Sequence, residues 1–347
     1  MSSSARITHR NSFDLIRHIA ALSVLFCHHY AISGFREPSV GGLFSVGGLA
    51  VVVFFSISGY LVAKSFGRCT DFLDFIGRRS RRIFPGYVAC CFLMIYLLGF
   101  AYSDLTIAQF SSKAAYFDML VSYSVFVYPT IPKVFDGYHL NMAVNGSLWT
   151  LSVEFMCYLL LGAVLSLSKS FKPVLLTIAL LVAAYLWIVA TQSTQTVWYV
   201  PGHLVTSFAA SFFVGSLLGM TEVSWKAKNA RLWLGLSACT LLYVTNGKPE
   251  AMIFAHLLIP IITIFIGTSF SERVVAGKYD ISYGIYIYAF PVQQIIVNAT
   301  PLGFWTSMVA SFVVTIALAT ASWRLIEKPA IGLGKKQAPS SAPAAGA

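Results

Sequence analysis

Long apolar runs separated by polar stretches dominate the hydrophobicity pattern of this chain. The runs are about 18–22 residues long, which is the length that an α-helix needs to cross about 30 Å of hydrocarbon. The pattern predicts an all-α membrane protein with about ten transmembrane helices and with both termini in the cytoplasm. The predicted spans are 13–34, 43–65, 85–103, 148–168, 173–191, 204–221, 231–246, 251–270, 281–299 and 304–325.

Composition and charge distribution agree with this class. The chain is 57% hydrophobic and 11% charged, whereas a soluble domain is roughly 45–50% apolar and 25% charged. A net charge of +11 would suggest a nucleic-acid partner in a soluble protein. Here all Lys and Arg residues except Arg36, Lys113, Lys133 and Lys248 fall on the predicted cytoplasmic side, as the positive-inside rule requires. The basic excess therefore indicates topology and a lipid bilayer, and no nucleic acid is expected.

One membrane domain is expected to fill most of the chain. The predicted organisation is a cytoplasmic N-terminus at 1–12, a membrane domain at 13–336 and a disordered cytoplasmic tail at 337–347. The first apolar run is too long for a cleavable signal and should remain as a helix. None of the six cysteines has metal-ligand spacing, so no metal is expected.

Among the ionisable residues inside predicted spans, where such groups are costly and are often functional, Arg17, His28 and Glu154 are the main candidates. Glu154, in the fourth span, and His28, in the first, are both predicted about 9 Å below the outer boundary. Arg17 and His28 share one helix face because eleven residues make three turns plus about 20°, and they are about 16 Å apart. A structural polar pair between Glu154 and His28 is the alternative interpretation.

The face between Arg17 and His28 carries Ala20, Ala21 and Val24, which are small enough to leave a groove. His18 and His29 form a second, weaker pair on the same helix. For Arg17 alone, an interfacial cation that reaches out to the membrane surface is an equal alternative.

Four arginines cluster in "GRRSRRIFPGY" at 77–87, which is predicted to lie in the first cytoplasmic loop, with Pro85 beginning the third helix. They are Arg78, Arg79, Arg81 and Arg82. Guanidinium groups suit phosphate because they donate bidentate hydrogen bonds. A topogenic or lipid-binding cluster is the alternative.

The outer connection before the fourth span contains polar and aromatic residues that could contact a sugar. His139, Asn145 and Trp149 are predicted near the outer mouth of the membrane domain. Aromatic side chains there could stack on sugar rings, although an interfacial aromatic belt would recruit the same residues.

Six segments in order resemble the acyltransferase-3 family of bacterial integral-membrane acyltransferases, which O-acetylate envelope and secreted carbohydrates. They are "IRHIAALSVLFCHH", "VVVFFSISGYLVAKSF", "RRSRRIFPGY", "NGSLWTLSVEFMCYL", "ISYGIYIYAFPV" and "LIEKP". The resemblance implies that Arg17 and His28 are essential, that Arg79 and Arg82 meet the acyl donor, and that Glu154 belongs to the active site. Ala289 departs from the family, because many members carry a histidine there. A fused extracytoplasmic hydrolase-like domain, which many relatives have, is not expected.

The resemblance and the polar residues together give a mechanistic hypothesis. Acetyl-CoA would enter from the cytoplasm, with its phosphates on the four arginines. His28 would act as general base or carry the acyl group transiently. Glu154 would orient it or stabilise its imidazolium, and Arg17 would bind the thioester end or polarise the carbonyl. The acceptor, most simply O-antigen or another surface polysaccharide, would approach Trp149, Asn145 and His139 from outside a bacterial inner membrane.

Two other functions remain open at this stage. A transporter or flippase of lipid-linked sugars or acylated metabolites would also need an aqueous path and a basic inner mouth, although no inverted repeat is apparent. A membrane acyltransferase of another class would need a histidine deep in a later helix, for which His256 is the only candidate.

Overall fold

The structure is a computed structural model that describes residues 11–102, 106–110, 124–126, 134–141, 143–248, 250–272, 274–275 and 279–336. The predicted tail at 337–347 and most of the predicted N-terminal segment at 1–12 lie outside these residues. Among the described residues, ten helices of 18 to 21 residues account for most of the chain. They are α1 Phe13–Ile32, α2 Val46–Phe66, α3 Phe72–Phe92, α4 Trp149–Leu167, α5 Lys172–Ala190, α6 Gly202–Met220, α7 Lys228–Thr245, α8 Ala251–Ser269, α9 Ser282–Ala299 and α10 Phe304–Ser322.

Each predicted span overlaps one of these helices, and eight of the helices are long and apolar enough to cross a membrane. The chain is therefore a multi-pass, all-α membrane protein. The two others are α7, which begins with Lys228 and Arg231, and α9, which carries Gln293, Gln294 and Asn298. The count of ten crossings and the cytoplasmic position of both termini stay predictions.

Short elements complete the described part of the chain. Two antiparallel strand pairs, β1 Ser39–Val40 with β2 Phe44–Ser45 and β3 Thr196–Val197 with β4 Val200–Pro201, form small hairpins. Two π-helical segments, Leu93–Leu98 and Trp323–Glu327, extend α3 and α10. The shorter helices are Gly99–Tyr102, Ile107–Phe110, Glu222–Trp225 and Lys328–Lys336.

The third helix begins earlier than the sequence predicts. The Asp71 side chain accepts a hydrogen bond from the backbone N–H of Asp74, which caps α3 at Phe72, and Pro85 lies inside the helix. The prediction that the four arginines occupy a loop is therefore wrong. Buried residues recur at helical spacing through this segment, from Phe75 to Ile83 and Tyr87, so the arginines extend from a helix that is packed on one face.

Glycines bring the backbones of α2 and α6 together. A Cβ atom at Gly59 would lie 1.9 Å from the carbonyl oxygen of Phe212, and one at Gly215 would lie 2.2 Å from that of Ser56. Ser216 also donates across this contact to the carbonyl of Gly59, at 3.2 Å. Small residues that allow such close approach are typical of helix pairs in membranes. This pair forms a rigid wall beside the cavity described below.

Two contacts fix the antiparallel register of α1 and α2. The Gly47 N–H donates to the Sγ atom of Cys27 at 3.0 Å, and the rings of Phe13 and Tyr60 have centroids 5.3 Å apart at the other end. Ser58, two residues before Tyr60, is therefore level with the Arg17 end of α1. Eleven residues of helix, or about 16 Å, separate Ser58 from Gly47, which is beside Cys27 and His28.

The segment that leads into α4 runs inside the helix bundle. Val144, Asn145, Ser147 and Leu148 are all at most 1% exposed. The Asn145 amide donates to the carbonyl of Ile287, in the first half of α9, at 2.8 Å. Helix α4 therefore begins deep in the bundle rather than at its outer boundary.

Candidate active site

A cavity of about 470 Å³ lies between α1, α2, α3, α4 and the start of α9. Its wall includes apolar side chains from α2, such as Phe54 and Phe55, together with many polar ones. The polar and charged lining residues are Asp14, Arg17, Ser58, Arg78, Arg79, Arg81, Arg82, Thr150, Glu154, Tyr158, Asp280, Ser282, Tyr283 and Tyr286. Arg17, Glu154 and the arginine cluster, which the sequence placed in three different regions, therefore open into one space.

Asp280 connects two of these regions. Its Oδ2 atom lies 3.3 Å from Nη1 of Arg17 and forms a second ion pair with Arg82, while its Oδ1 atom accepts from the Ser282 hydroxyl at 3.0 Å. Burial alone would raise the pKa of the Asp280 carboxyl, but the positive charges of Arg17 and Arg82 outweigh burial and hold that pKa well below its usual range. The carboxylate is ionised at neutral pH. The sequence analysis missed this residue.

The four arginines differ in what they bind within the protein. Arg78 makes a bidentate ion pair with Asp74, with two contacts of 2.9 Å. Arg81 donates to the carbonyl of Gly77 at 3.2 Å, and Arg82 pairs with Asp280. The buried Nε atom of Arg79 has no hydrogen-bond partner among the described residues. Arg79 therefore has a buried donor that no described residue of the protein satisfies.

Glu154 is bonded to two hydroxyl groups. Its Oε1 atom accepts from Ser58 at 2.6 Å and from Tyr158 at 2.5 Å. Because Ser58 is level with the Arg17 end of α1, the prediction that Glu154 lies at the depth of His28 and orients it is wrong. The physical reason is that α4 begins inside the bundle. Counting residues from the first turn of α4 therefore places Glu154 too close to the outer boundary of the membrane.

His28 lies beyond the opposite end of the cavity and is not among the described residues that line it. Its ring packs edge-on against Phe290, with centroids 5.3 Å apart. Phe290 is one helical turn, about 6 Å, beyond Tyr286 of the cavity wall. The buried Nδ1 atom of His28 has no hydrogen-bond partner within the described parts of the chain. A ring nitrogen without a protein partner thus lies in the interior, next to the ring of Phe290.

The predicted groove between Arg17 and His28 is filled. Ala20, Ala21 and Val24 are at most 5% exposed, and Ala21 packs with Ala289 in a small apolar cluster. Ala289, which replaces the histidine of many family members, is itself 1% exposed. This face of α1 therefore offers no open groove between Arg17 and His28, and of the two residues only Arg17 lines the cavity.

The other histidines are held by local contacts. His18 bonds to the carbonyl of Asp14 at 2.7 Å. His29 is fully buried and bonds through Nε2 to the carbonyl of Phe304, at 3.0 Å. His256 is buried against the Ser211 hydroxyl, with 2.9 Å between the Nδ1 and Oγ atoms. None of these three histidines is among the described residues that line the cavity, and the Nδ1 atom of His29, like that of His28, has no partner among the described residues.

The three residues predicted to bind the acceptor do not form one cluster. Asn145 is 0% exposed. Its Nδ2 atom donates to the carbonyl of Ile287, and its Oδ1 atom accepts from the backbone N–H of Ser147. Trp149 packs edge-on against Phe208 at 5.6 Å between centroids. His139 is exposed and rests on Gly34, at the end of α1, where a Cβ atom would lie 3.1 Å from the imidazole ring. Of the three, His139 is the one accessible from outside.

Comparison with known proteins decides the family. A family model described as "Acyltransferase domain", of the acyltransferase-3 type, matches residues 10–324. The chain belongs to this family. It is 36% identical over 319 residues to an "O-acetyl transferase" of Shigella phage Sf6, which covers 92% of this chain and 95% of that protein. It is also 29% identical over 350 residues to "Nodulation protein 10" of Rhizobium leguminosarum bv. viciae, covering 94% of each chain. No solved structure matches it.

The family resemblance read from the six sequence segments is thereby confirmed, and so is the expectation of an O-acetyltransferase enzyme. This multi-pass acyltransferase carries its ionisable residues in two places: the cavity with Arg17, Asp280, Glu154 and the arginines, and the interior position of His28. Like Asp280, Ser58 was not singled out by the sequence analysis. Its neighbours in "FFSISGY" gave no signal, because serines in apolar helices commonly bond their own backbone.

Proposed function

We propose that the protein transfers an acetyl group from cytoplasmic acetyl-CoA to a hydroxyl of a cell-surface or secreted carbohydrate, in a bacterial inner membrane. The observation that carries this proposal is the cavity, whose unpaired Arg79 donor and nearby cations suit an anionic donor. The phage relative, an "O-acetyl transferase", supports acetyl as the acyl group. O-antigen or a similar polymeric or lipid-linked glycan is the acceptor that we propose.

The donor would bind with its phosphates at the arginine end of the cavity. Arg79 would contact a phosphate directly because its Nε atom is free in the described structure. Arg82 and Arg17, both fixed on Asp280, would supply positive charge, and Arg78 and Arg81 would extend it toward the cavity mouth. Coenzyme A carries its thioester at the end of a long pantetheine arm, which the cavity could hold along the polar wall formed by Ser58, Glu154 and Tyr158.

His28 would act at the far end of this path as the general base. The proton of the acceptor hydroxyl passes to the imidazole while its oxygen bonds to the acyl carbon. The carbon–sulfur bond then breaks, and the leaving thiolate takes the proton from the imidazolium. A positioned histidine contributes about 10²–10⁴-fold to such a step. No metal enters this scheme.

Glu154 and Arg17 keep catalytic importance in this proposal, with roles set by their contacts. Glu154 would position the donor arm through the hydroxyls of Ser58 and Tyr158, both within 2.6 Å of its Oε1 atom. Arg17 would help to position the donor-binding end of the cavity through its ion pair with Asp280. His139, Asn145 and Trp149 would guide the acceptor, His139 by contact and the other two by shaping the segment before α4.

The test is acetylation of envelope glycan in membrane vesicles with labelled acetyl-CoA. We expect transfer to depend on the protein and to be abolished in His28→Ala, while the variant remains in the membrane in normal amount. Unlabelled acetyl-CoA should compete, and analogues of coenzyme A that lack its phosphates should compete poorly. Transport of a sugar in the absence of acetyl transfer would instead support the carrier alternative.

A further inference from the structure

Three buried polar atoms belong to residues that lie on or next to the ring of Phe290, and none of these residues lines the donor cavity. They are Nδ1 of His28, Oγ of Ser147 and Oε1 of Gln293, and none has a hydrogen-bond partner among the described residues. We propose that these atoms form the acceptor site and bind two neighbouring hydroxyl groups of a sugar. This inference rests on the proposed function, since it takes His28 as the base.

Contacts on three elements place these atoms around one ring. The His28 ring packs on Phe290 at 5.3 Å between centroids. Gly146, next to Ser147, approaches the same ring so closely that a Cβ atom there would lie 2.6 Å from it. Gln293 follows Phe290 by three residues, on the same face of α9. Its amide reaches the carbonyl of Leu25, three residues before His28, at 2.8 Å.

The unpaired state of Ser147 and Gln293 contrasts with the polar groups beside them, which are satisfied, whereas on α1 the Nδ1 atom of His29 is also without a partner among the described residues. The amide of Gln294, the next residue, donates to the carbonyls of Leu140 and Ala143 at 3.0 and 2.9 Å. Thr150, one turn after Ser147, bonds to the Ser147 carbonyl and to Tyr286. A buried polar atom without a partner is unfavourable in a folded protein, so three in one place indicate a ligand or water that completes them.

The chemistry of the three atoms favours a hydroxyl-bearing ligand. Gln293 donates through Nε2 to a carbonyl, so its Oε1 atom is an acceptor, and it has no partner among the described residues. The residues His28, Ser147 and Gln293 are called the acceptor shell below. A neutral imidazole nitrogen acting as a base is a second acceptor, and the Ser147 hydroxyl can accept or donate. Two acceptors repel an anion but suit two O–H groups. One hydroxyl would give its proton to His28, and its neighbour would donate to Gln293. In the present structure the Phe290 ring packs against His28 and Gly146. The acceptor would therefore have to displace this ring when it binds.

The test compares Ser147→Ala and Gln293→Met with Thr315→Val, which removes an unpaired buried hydroxyl elsewhere, on α10. Initial rates are measured in vesicles over a range of labelled acetyl-CoA and of envelope glycan extracted from a host strain that lacks the gene. We expect the two shell variants to raise the KM for glycan about tenfold, the effect of losing one hydrogen bond, with the KM for acetyl-CoA unchanged. Thr315→Val should change neither constant. Ser147→Ala and Thr315→Val should melt at or above the wild-type temperature, whereas Gln293→Met should melt lower because it also removes the hydrogen bond to the Leu25 carbonyl.

Two results would overturn the proposal. In the first, Ser147→Ala and Gln293→Met have the same KM for glycan as Thr315→Val. This result would mean that the unpaired atoms bind water only. The other is a product whose acetylated carbon, located by NMR, has no free hydroxyl on an adjacent carbon. A parallel His28→Ala protein separates this failure from that of the proposed function. If His28→Ala is inactive while the shell variants are normal, only the acceptor site is wrong, and if His28→Ala is fully active, the base assignment itself fails.

Discussion

The Oδ2 atom of Asp280 lies 3.3 Å from Nη1 of Arg17, and the same carboxylate also pairs with Arg82. Three segments that are far apart in the sequence, the first turns of α1, the arginine cluster of α3 and the residues before α9, therefore meet at one carboxylate. Because this group lies at the end of the cavity where we place the donor's phosphates, it fixes two cations in position for binding. Its removal gives the first prediction.

Asp280→Asn should weaken donor binding. The substitution leaves two partly buried guanidinium groups without their counter-ion, and breaking a buried pair from one side is strongly destabilising. We expect the KM for acetyl-CoA to rise by roughly ten- to a hundredfold. Asp74→Asn is the matched control, because it removes an exposed pair with Arg78, and exposed pairs contribute little. Equal kinetic constants in the two variants would contradict the role of Asp280.

The lowered pKa of Asp280 also predicts how stability depends on pH. A carboxyl whose pKa is lower in the folded state than its unfolded value of about 3.9 stabilises the fold above that value, and this stabilisation is lost as pH falls through the folded value. We therefore expect no loss from this group between about pH 5 and pH 8. Thermal melting in detergent should show an Asp280→Asn deficit that is constant over this range and shrinks in acid. A deficit that grows on acidification would be the wrong sign.

Arg79 and Arg78 should differ although they are adjacent. The Nε atom of Arg79 is buried at the cavity without a partner in the described structure, whereas Arg78 is engaged by Asp74. Arg79→Ala should raise the KM for acetyl-CoA by at least tenfold, and Arg78→Ala should raise it by less. Arg79→Lys should restore only part of the loss, since an ammonium group cannot donate in the same fork. A larger effect at Arg78 would place the donor elsewhere.

Glu154→Gln separates the two roles considered for this carboxylate. If Glu154 positions the donor arm through Ser58 and Tyr158, as its contacts indicate, the variant should lose rate without moving the pH profile of kcat. A direct partner of His28 would instead shift the limb of that profile that reports the histidine. We expect Tyr158→Phe to resemble a milder Glu154→Gln. If Glu154→Gln shifts the histidine limb of the kcat pH profile and Tyr158→Phe does not, Glu154 would after all be a direct partner of His28.

Glycine substitutions test the rigid wall formed by α2 and α6. Gly215→Ala should lower the amount of folded protein and its melting temperature, because the new Cβ would lie 2.2 Å from the Ser56 carbonyl oxygen. Gly235→Ala, also inside a helix but with its nearest neighbour at 3.6 Å, should be neutral or stabilising, since alanine favours helix over glycine by about 1 kcal/mol. Similar melting temperatures for the two variants would contradict this packing.

The sequence predicted the helices well because hydrocarbon selects for long apolar runs, and each run folded as a helix. It also identified Arg17, Glu154 and the arginines, which share the cavity. It could not place Glu154 along the membrane normal, since depth was counted from the start of α4, and the buried segment around Asn145 carries that start into the bundle. Asp280 was missed because an acidic residue in a connection looks ordinary until its two partners are known. A carboxylate directly before "ISYGIYIYAFPV", in a chain with few acidic residues, was the available signal.

The most direct test of the account is single-turnover acetyl transfer by His28→Ala in sealed vesicles that are supplied with labelled acetyl-CoA on the cytoplasmic side and acceptor glycan on the other. The account predicts that the variant binds acetyl-CoA with wild-type affinity and transfers no label to the glycan above background. Transfer at the wild-type rate would contradict it, because the account makes the imidazole of His28 the base that takes the proton of the acceptor hydroxyl.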